Sequence, residues 1–164
     1  MKTARERVVE WLRDAHAMEE QAHTMLGKTA QQIDGHPNFR AGLDAHGKHS
    51  ARQAAQLKSC LETLGESTSA VKTVTGQISA FAQTLSGYIV GDEPVKAVLA
   101  SATFAHMEAT SYRILVAAAA EAGMNEVAAV CRPLLTEEHQ FVRWLDDQAD
   151  IVTRDYLDAN AAGG

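Results

Sequence analysis

Apolar residues recur at spacings of three and four through most of this chain, the signature of amphipathic helices. The first run is Val8, Leu12, Ala15, Glu19, Ala22, Leu26. Thr3 and Glu6 stand at capping-box spacing in front of it. Asp34-Gly35-His36-Pro37 supplies the turn chemistry that stops it. The second run is predicted from Asn38 to about Leu64, with Gly65 as its cap, and reads Leu43, His46, Ser50, Gln53, Leu57, Leu61, Leu64. Its centre is polar where a bundle helix should be apolar. Residues 66–91 carry a weaker pattern through Val71, Val74, Ile78, Phe81 and Leu85, which predicts a long crossover holding one shorter helix. Asp92-Glu93-Pro94 opens the next helix, striped by Val98, Ala102, Ala105, Glu108, Tyr112, Leu115 and Ala119. Gly123 ends it, and Asn125 is placed to cap the last helix. That helix runs through Val127, Cys131, Leu134, Glu138, Phe141 and Leu145 to about Leu157, bent at Pro133. The tail, 158–164, reads as frayed. Short turns within each pair and a long connection between pairs predict an all-α four-helix bundle of two antiparallel hairpins. It would form one domain over residues 1–164.

Four polar residues interrupt these apolar stripes. Glu138 follows Glu108 by 30 positions, as His49 follows Glu19, and the second pair repeats the first at an offset of 89. Two similar hairpins would bring all four to one level of a shared core. Carboxylates and imidazoles in a dry interior need a compensating charge, and a metal ion is its simplest source. Carboxylate metal sites in bundle cores take a Glu from each of two helices and a Glu-x-x-His from each of the others. Here Glu19 and Glu108 take the lone positions. Glu138 is followed at the third position by Phe141 rather than His, and His46 and His49 share a helix face at i, i+3. The ligand set read from the sequence is Glu19, His46, His49, Glu108 and Glu138, with His16, one turn before Glu19, as an addition or an orienting neighbour. Glu20 and His23 form the chain's literal Glu-x-x-His but fall on a neighbouring face, as a solvated pair. His106 lies about 200° around the helix from Glu108. Glu137 and His139, which flank Glu138, are expected to point outward.

Composition narrows the field. The net charge is −6 with scattered basic residues, which gives no reason to expect nucleic acid or an anionic membrane as partner. No apolar run reaches membrane length, and MKTARERVVEW enters amphipathic helix without a signal peptide. Cys60 and Cys131 form no CxxC and read as buried free thiols in a reducing, cytoplasmic setting. Nucleotide-binding loops and serine-nucleophile motifs are missing from the sequence.

Four stretches together resemble the YciE/YciF-type ferritin-like proteins. LRDAHAMEEQ (12–21) is similar to the family's L-R-D-x-x-x-A-E-K-Q, and HGKHSARQ (46–53) to its H-L-E-E-T-x-x-Q. HMEATSY (106–112) is similar to E-H-Y-E-I-A-x-Y without its first Glu, and LLTEE (134–138) to T-L-E-E-E. The resemblance implies a ferritin-like four-helix bundle, frequently a homodimer, associated with bacterial stress responses. It implies metal positions at Glu19, His46, Glu108 and Glu138, iron as the metal, and ferroxidase or peroxide-handling chemistry. His49 and Ala105 stand where the family has Glu, and His16 where it has an aromatic. An imidazole cannot bridge two metals as a carboxylate does. The expectation therefore extends to a mononuclear site, an asymmetric pair, or zinc or manganese in place of iron. The competing reading is a non-enzymatic helical dimerisation module whose polar core fixes register.

Overall fold

The structure is a computed structural model, and it describes residues 1–69, 72–87 and 94–162. Five helices follow in order: α1 (Ala4–Gln32), α2 (Pro37–Thr63), α3 (Lys72–Gly87), α4 (Pro94–Glu121) and α5 (Asn125–Ala162). α1, α2, α4 and α5 form the bundle, and α3 is the crossover helix.

The capping box forms as read: the Thr3 side chain accepts from the Glu6 backbone N–H, and the Glu6 carboxylate accepts from the backbone of Thr3. Pro37 begins α2 instead of closing the preceding turn, because a proline at the first helical position loses no hydrogen bond it would otherwise make. Gly65 and Gly123 lie at φ +75° and +70°, where the chain leaves α2 and α4 in the left-handed conformation that glycine tolerates. Asn125 is the first residue of α5 rather than its cap. α5 continues through Pro133 and runs to Ala162, so the expected fraying from 158 onward is not found up to that point. Three alanines in that stretch have the highest helix propensity, and Asn160 Nδ2 donates back to the Tyr156 carbonyl at 2.9 Å. Val71, Gly91, Asp92, Glu93 and the Val74 side chain, all used in the sequence reading, lie outside the described residues.

Within each hairpin, α1 packs along α2 and α4 along α5. Between hairpins, α1 meets α4 and α2 meets α5. Residue numbers rise along α2 as they fall along α5, from His49 beside Glu137 to Cys60 near Val130, so that pair is antiparallel. α1 and α4 are antiparallel likewise, with Met18 and Met107 at one level of their shared groove and Trp11 and Ile114 at another. α2 and α4 therefore run parallel, which the long crossover requires, and the arrangement is the ferritin-like bundle that the resemblance implies.

α3 lies on α1 and α4. Its buried face is Ile78, Ala82 and Leu85, one stripe at i, i+4, i+7, while Phe81, expected in that stripe, is at its edge and 37% exposed. Phe81 still stacks at 6.3 Å on Phe104 of α4.

The core is layered along the bundle axis. Val8, Leu12, Leu57, Leu61, Leu115 and Ala119 fill one end, and Leu26, Ile33, Phe39, Leu43, Ala97 and Leu145 the other. Between them lies a belt of buried polar side chains. Cys60 and Cys131 are free thiols, and burial pushes Cys131 up to about 12. Among the described residues, no helix is long and apolar enough to cross a membrane.

Candidate metal centre

The belt is built by one residue from each bundle helix. Glu19 and Glu138 are wholly shut off from solvent, Glu108 is 1% exposed and His46 9% exposed. Each occupies the apolar face of its own helix, so packing the four faces together drives all four side chains inward. His46, Glu108 and Glu138 each offer a ligand atom within 4.8 Å of the others'. His46 Nε2 lies 3.3 Å from Glu138 Oε2. Glu19 borders the trio: its charge and that of Glu138 act on one another and on Glu108.

Hydrogen bonding inside this belt is incomplete. Glu19 Oε1 accepts from the Tyr112 hydroxyl at 2.6 Å. Glu19 Oε2, His46 Nε2 and both carboxylate oxygens of Glu108 and of Glu138 have no hydrogen-bond partner. Buried polar atoms are almost always paired, so six orphans around one point are a property of the site that requires a cause.

The electrostatics say the same thing in another form. Burial, then the neighbouring Glu138 charge, raises Glu19 from 4.5 to about 8. Burial raises Glu138 to about 7. Glu108 is pushed well above the carboxylate range, first by burial and then by Glu138 and Glu19. Burial lowers His46 from 6.5 to about 3, so its imidazole stays neutral. Burial and the adjacent Glu19 carboxylate hold the Tyr112 phenol well above its usual range, so it remains a donor. Three carboxylates cannot all ionise here unaided; they must carry protons or share a cation.

The rest of the residues read from the sequence are placed as follows. His49 is turned away from the trio: its Nε2 donates to Glu137 Oε2 at 2.6 Å, and its Nδ1 faces the Arg52 guanidinium. Residues three apart on a helix differ by about 60° in direction, so His46 enters the belt while His49 faces the gap toward α5. The two rings remain nearly parallel, with centroids 5.8 Å apart. His16 is buried with its Nδ1 3.7 Å from the Glu20 carboxylate. Glu137, expected to point outward, instead accepts from both His49 and Gln53 Nε2, the latter at 2.8 Å. His23, expected as a solvated partner of Glu20, pairs with the Gly47 carbonyl across the α1–α2 interface at 2.8 Å. His106 is exposed, as its helical angle required. His139 is half-buried, 3.3 Å from Arg113.

Tyr112 stands in the apolar stripe of α4 and is buried, yet it does more than pack. It is a donor, and its acceptor is Glu19. Its position one turn from Glu108 was the available signal; the partner lies across the interface with α1. Phe141, where a second Glu-x-x-His would carry its His, stacks on the His46 ring with centroids 3.5 Å apart.

Residues 3–158 match the model of a family described as "Domain of unknown function (DUF892)". Among solved structures, the chain is 32% identical to a protein from Xanthomonas campestris pv. campestris, with a TM-score of 0.81, covering 98% of this chain and 99% of that one. It is similar in fold to the E. coli stress protein YciF, at 20% identity and a TM-score of 0.84, over 94% of this chain and 99% of that one. A third similar structure, described as ferritin-like, diiron-carboxylate proteins from Bacillus anthracis, is 14% identical with a TM-score of 0.73, over 91% and 99%.

Proposed function

We propose that this chain, which belongs to the DUF892 family of YciE/YciF-type ferritin-like proteins, binds a metal ion in the polar belt between its bundle helices. The observation that carries this reading is the set of six buried, unpartnered ligand atoms on Glu19, His46, Glu108 and Glu138. Left alone, each costs about 1–3 kcal/mol. One divalent cation answers the unmet polarity of the whole group and lets the carboxylates ionise together.

The donor set fits such an ion: a majority of carboxylate oxygens with one neutral imidazole suits iron first, then manganese or zinc. Glu19, His46, Glu108 and Glu138 would hold it. When bound, iron supplies electron transfer to oxygen or peroxide, the basis of ferroxidase or peroxide-handling activity in a stress response. The chain's own residues prepare the place. The Tyr112 hydroxyl fixes the Glu19 carboxylate by holding one oxygen and leaving the other free. The Phe141 ring fixes the His46 plane. The apolar layers above and below exclude bulk water. The two free thiols and the family resemblance support a homodimer working in a reducing cytoplasm.

A second reading has its own support. His49 faces Glu137, and Ala105 is a buried methyl group where the family pattern has Glu. On this reading the belt is a register-setting polar layer of a helical dimerisation module.

Elemental analysis of untagged protein, wild type against Glu108→Ala, separates the two. About one equivalent of metal in the wild type, lost in the variant, supports the metal site. Only traces in both samples would overturn it and leave the dimerisation module, which sedimentation then tests.

A further inference from the structure

The bundle is covered on one side and open on the other. α3 roofs the seam between α1 and α4. No described helix roofs the seam between α2 and α5, and these two helices touch less extensively than the partners within either hairpin. A cavity of about 320 Å³ lies in this seam, walled by Gly42, His46, His49, Glu137, Phe141 and Trp144. His46 therefore belongs to two places, the buried trio and the wall of a solvent-facing cavity. The groove between α1 and α4, about 390 Å³, is lined by Asp14, Met18, Met107 and Ser111 among others and includes no member of the trio.

Glu137 guards the inner part of the open seam. Its Oε2 accepts from His49 at 2.6 Å and from Gln53 at 2.8 Å, while Oε1 accepts no hydrogen bond from the described residues. Because a guanidinium can only donate, His49 Nδ1 accepts from Arg52 and the Nε2–H is donated to Glu137. One oxygen is pinned and the other is free, on the residue next in the chain to Glu138.

We propose that the α2–α5 seam is the door by which a divalent cation reaches the buried cluster, with the free oxygen of Glu137 as its first ligand and His46 as the next. The inference rests on the reading that the cluster holds a metal. A cation entering a protein must trade water for other polar ligands at each step; the α1–α4 groove has Asp14 and Ser111 in its lining but no member of the cluster to which an ion could pass. The seam offers a carboxylate oxygen, then an unpartnered imidazole nitrogen, then Glu138. Arg52, held on His49, offsets part of the Glu137 charge. An entry ligand weakened in this way releases what it captures.

Cobalt(II) is mixed with metal-free full-length protein, and its ligand-field absorption is followed in time. Cobalt stoichiometry at equilibrium is measured separately. Glu137→Gln should slow uptake by on the order of ten-fold, the lower end of what charge steering supplies, with the final stoichiometry unchanged. Trp144→Ala, which removes one wall of the cavity, should speed uptake, and far-UV circular dichroism confirms that each variant is folded. Normal stoichiometry with unchanged rates in both variants overturns the door alone. Loss of stoichiometry in Glu137→Gln also overturns it, since Glu137 would then be a resident ligand. A wild type that takes up no cobalt at equilibrium overturns the metal reading and the door together.

Discussion

The Tyr112 hydroxyl donates to Glu19 Oε1 across 2.6 Å, and both side chains are completely buried. This bond ties α4 to α1 at the level of the polar belt, and it fixes which Glu19 oxygen is left for a ligand. Tyr112→Phe keeps the ring and removes the donor. The Glu19 carboxyl would then lack any partner, so the metal-free protein should lose about 1–3 kcal/mol in urea denaturation. Metal affinity should fall about 10–100-fold, the usual effect of deleting a group that orients a ligand. Unchanged affinity would show that Tyr112 serves packing alone.

The belt also sets a pH dependence. Glu19, Glu108 and Glu138 have folded-state values above the unfolded 4.5. Their protonated forms are favoured by folding, so their contribution is complete below about 4.5 and is lost as pH rises through the folded values. His46 acts oppositely, being lowered to about 3 from 6.5, so its penalty disappears above 6.5. From 6.5 to about 8 only the carboxyl groups remain in play. Metal-free protein should lose about 1.4 kcal/mol per pH unit there for each carboxyl still protonated. Metal-loaded protein, whose ligands are already ionised, should show no such fall. Parallel thermal melts of both forms across this window provide the check.

Glu108→Gln should separate stability from metal retention. The amide is neutral without having to take up a proton on folding, and it brings donors within reach of the cluster's unpartnered oxygens. The metal-free variant should therefore melt higher than wild type at pH 8, by about 1–2 kcal/mol in stability. Its metal content after dialysis should drop below about half of the wild-type value. A variant that is both less stable and equally metal-rich would contradict the description of the belt.

Gly42 faces the Trp144 indole so closely that a Cβ there would collide with the ring. Trp144 is itself stacked on Phe39 at 5.9 Å and on Phe141 at 5.6 Å, so it has little room to retreat. Gly42→Ala should destabilise the bundle by about 1–3 kcal/mol through overpacking. The emission of Trp144, read in a Trp11→Phe background, should shift as the ring moves. An unshifted spectrum and an unchanged melting temperature would mean that the α2–α5 seam yields freely.

Helical periodicity placed Glu19, His46, Glu108 and Glu138 on the inward stripes, whereas the repeated 30-residue spacing singled out His49, one turn along from the imidazole that enters the belt. What lay between chains of contacts was harder to see. His46 and His49 sit on one broad helix face, and periodicity alone does not divide a 60° difference between core and seam. Glu137 looked like a solvated neighbour of Glu138, yet α2 supplies it with two donors that only tertiary packing brings near. The partner of His23 is a backbone carbonyl on α2, and no pattern of side chains along α1 points to it. Fraying was expected from 158 onward because of the terminal position, but the alanines there favour helix, which continues to Ala162.

The layered core has a bearing on how this scaffold tolerates chemical change. The apolar side chains that clasp the helices lie at the two ends, Val8 with Leu61 and Leu115 at one, Leu43 with Leu145 and Ala97 at the other. The waist adds ties of its own, the Tyr112–Glu19 bond and the Phe141–His46 stack, but its polar side chains stand between two apolar clamps. A substitution there, such as an imidazole at 49 or a methyl group at 105, alters what the middle can hold while the clamps on either side keep the architecture intact.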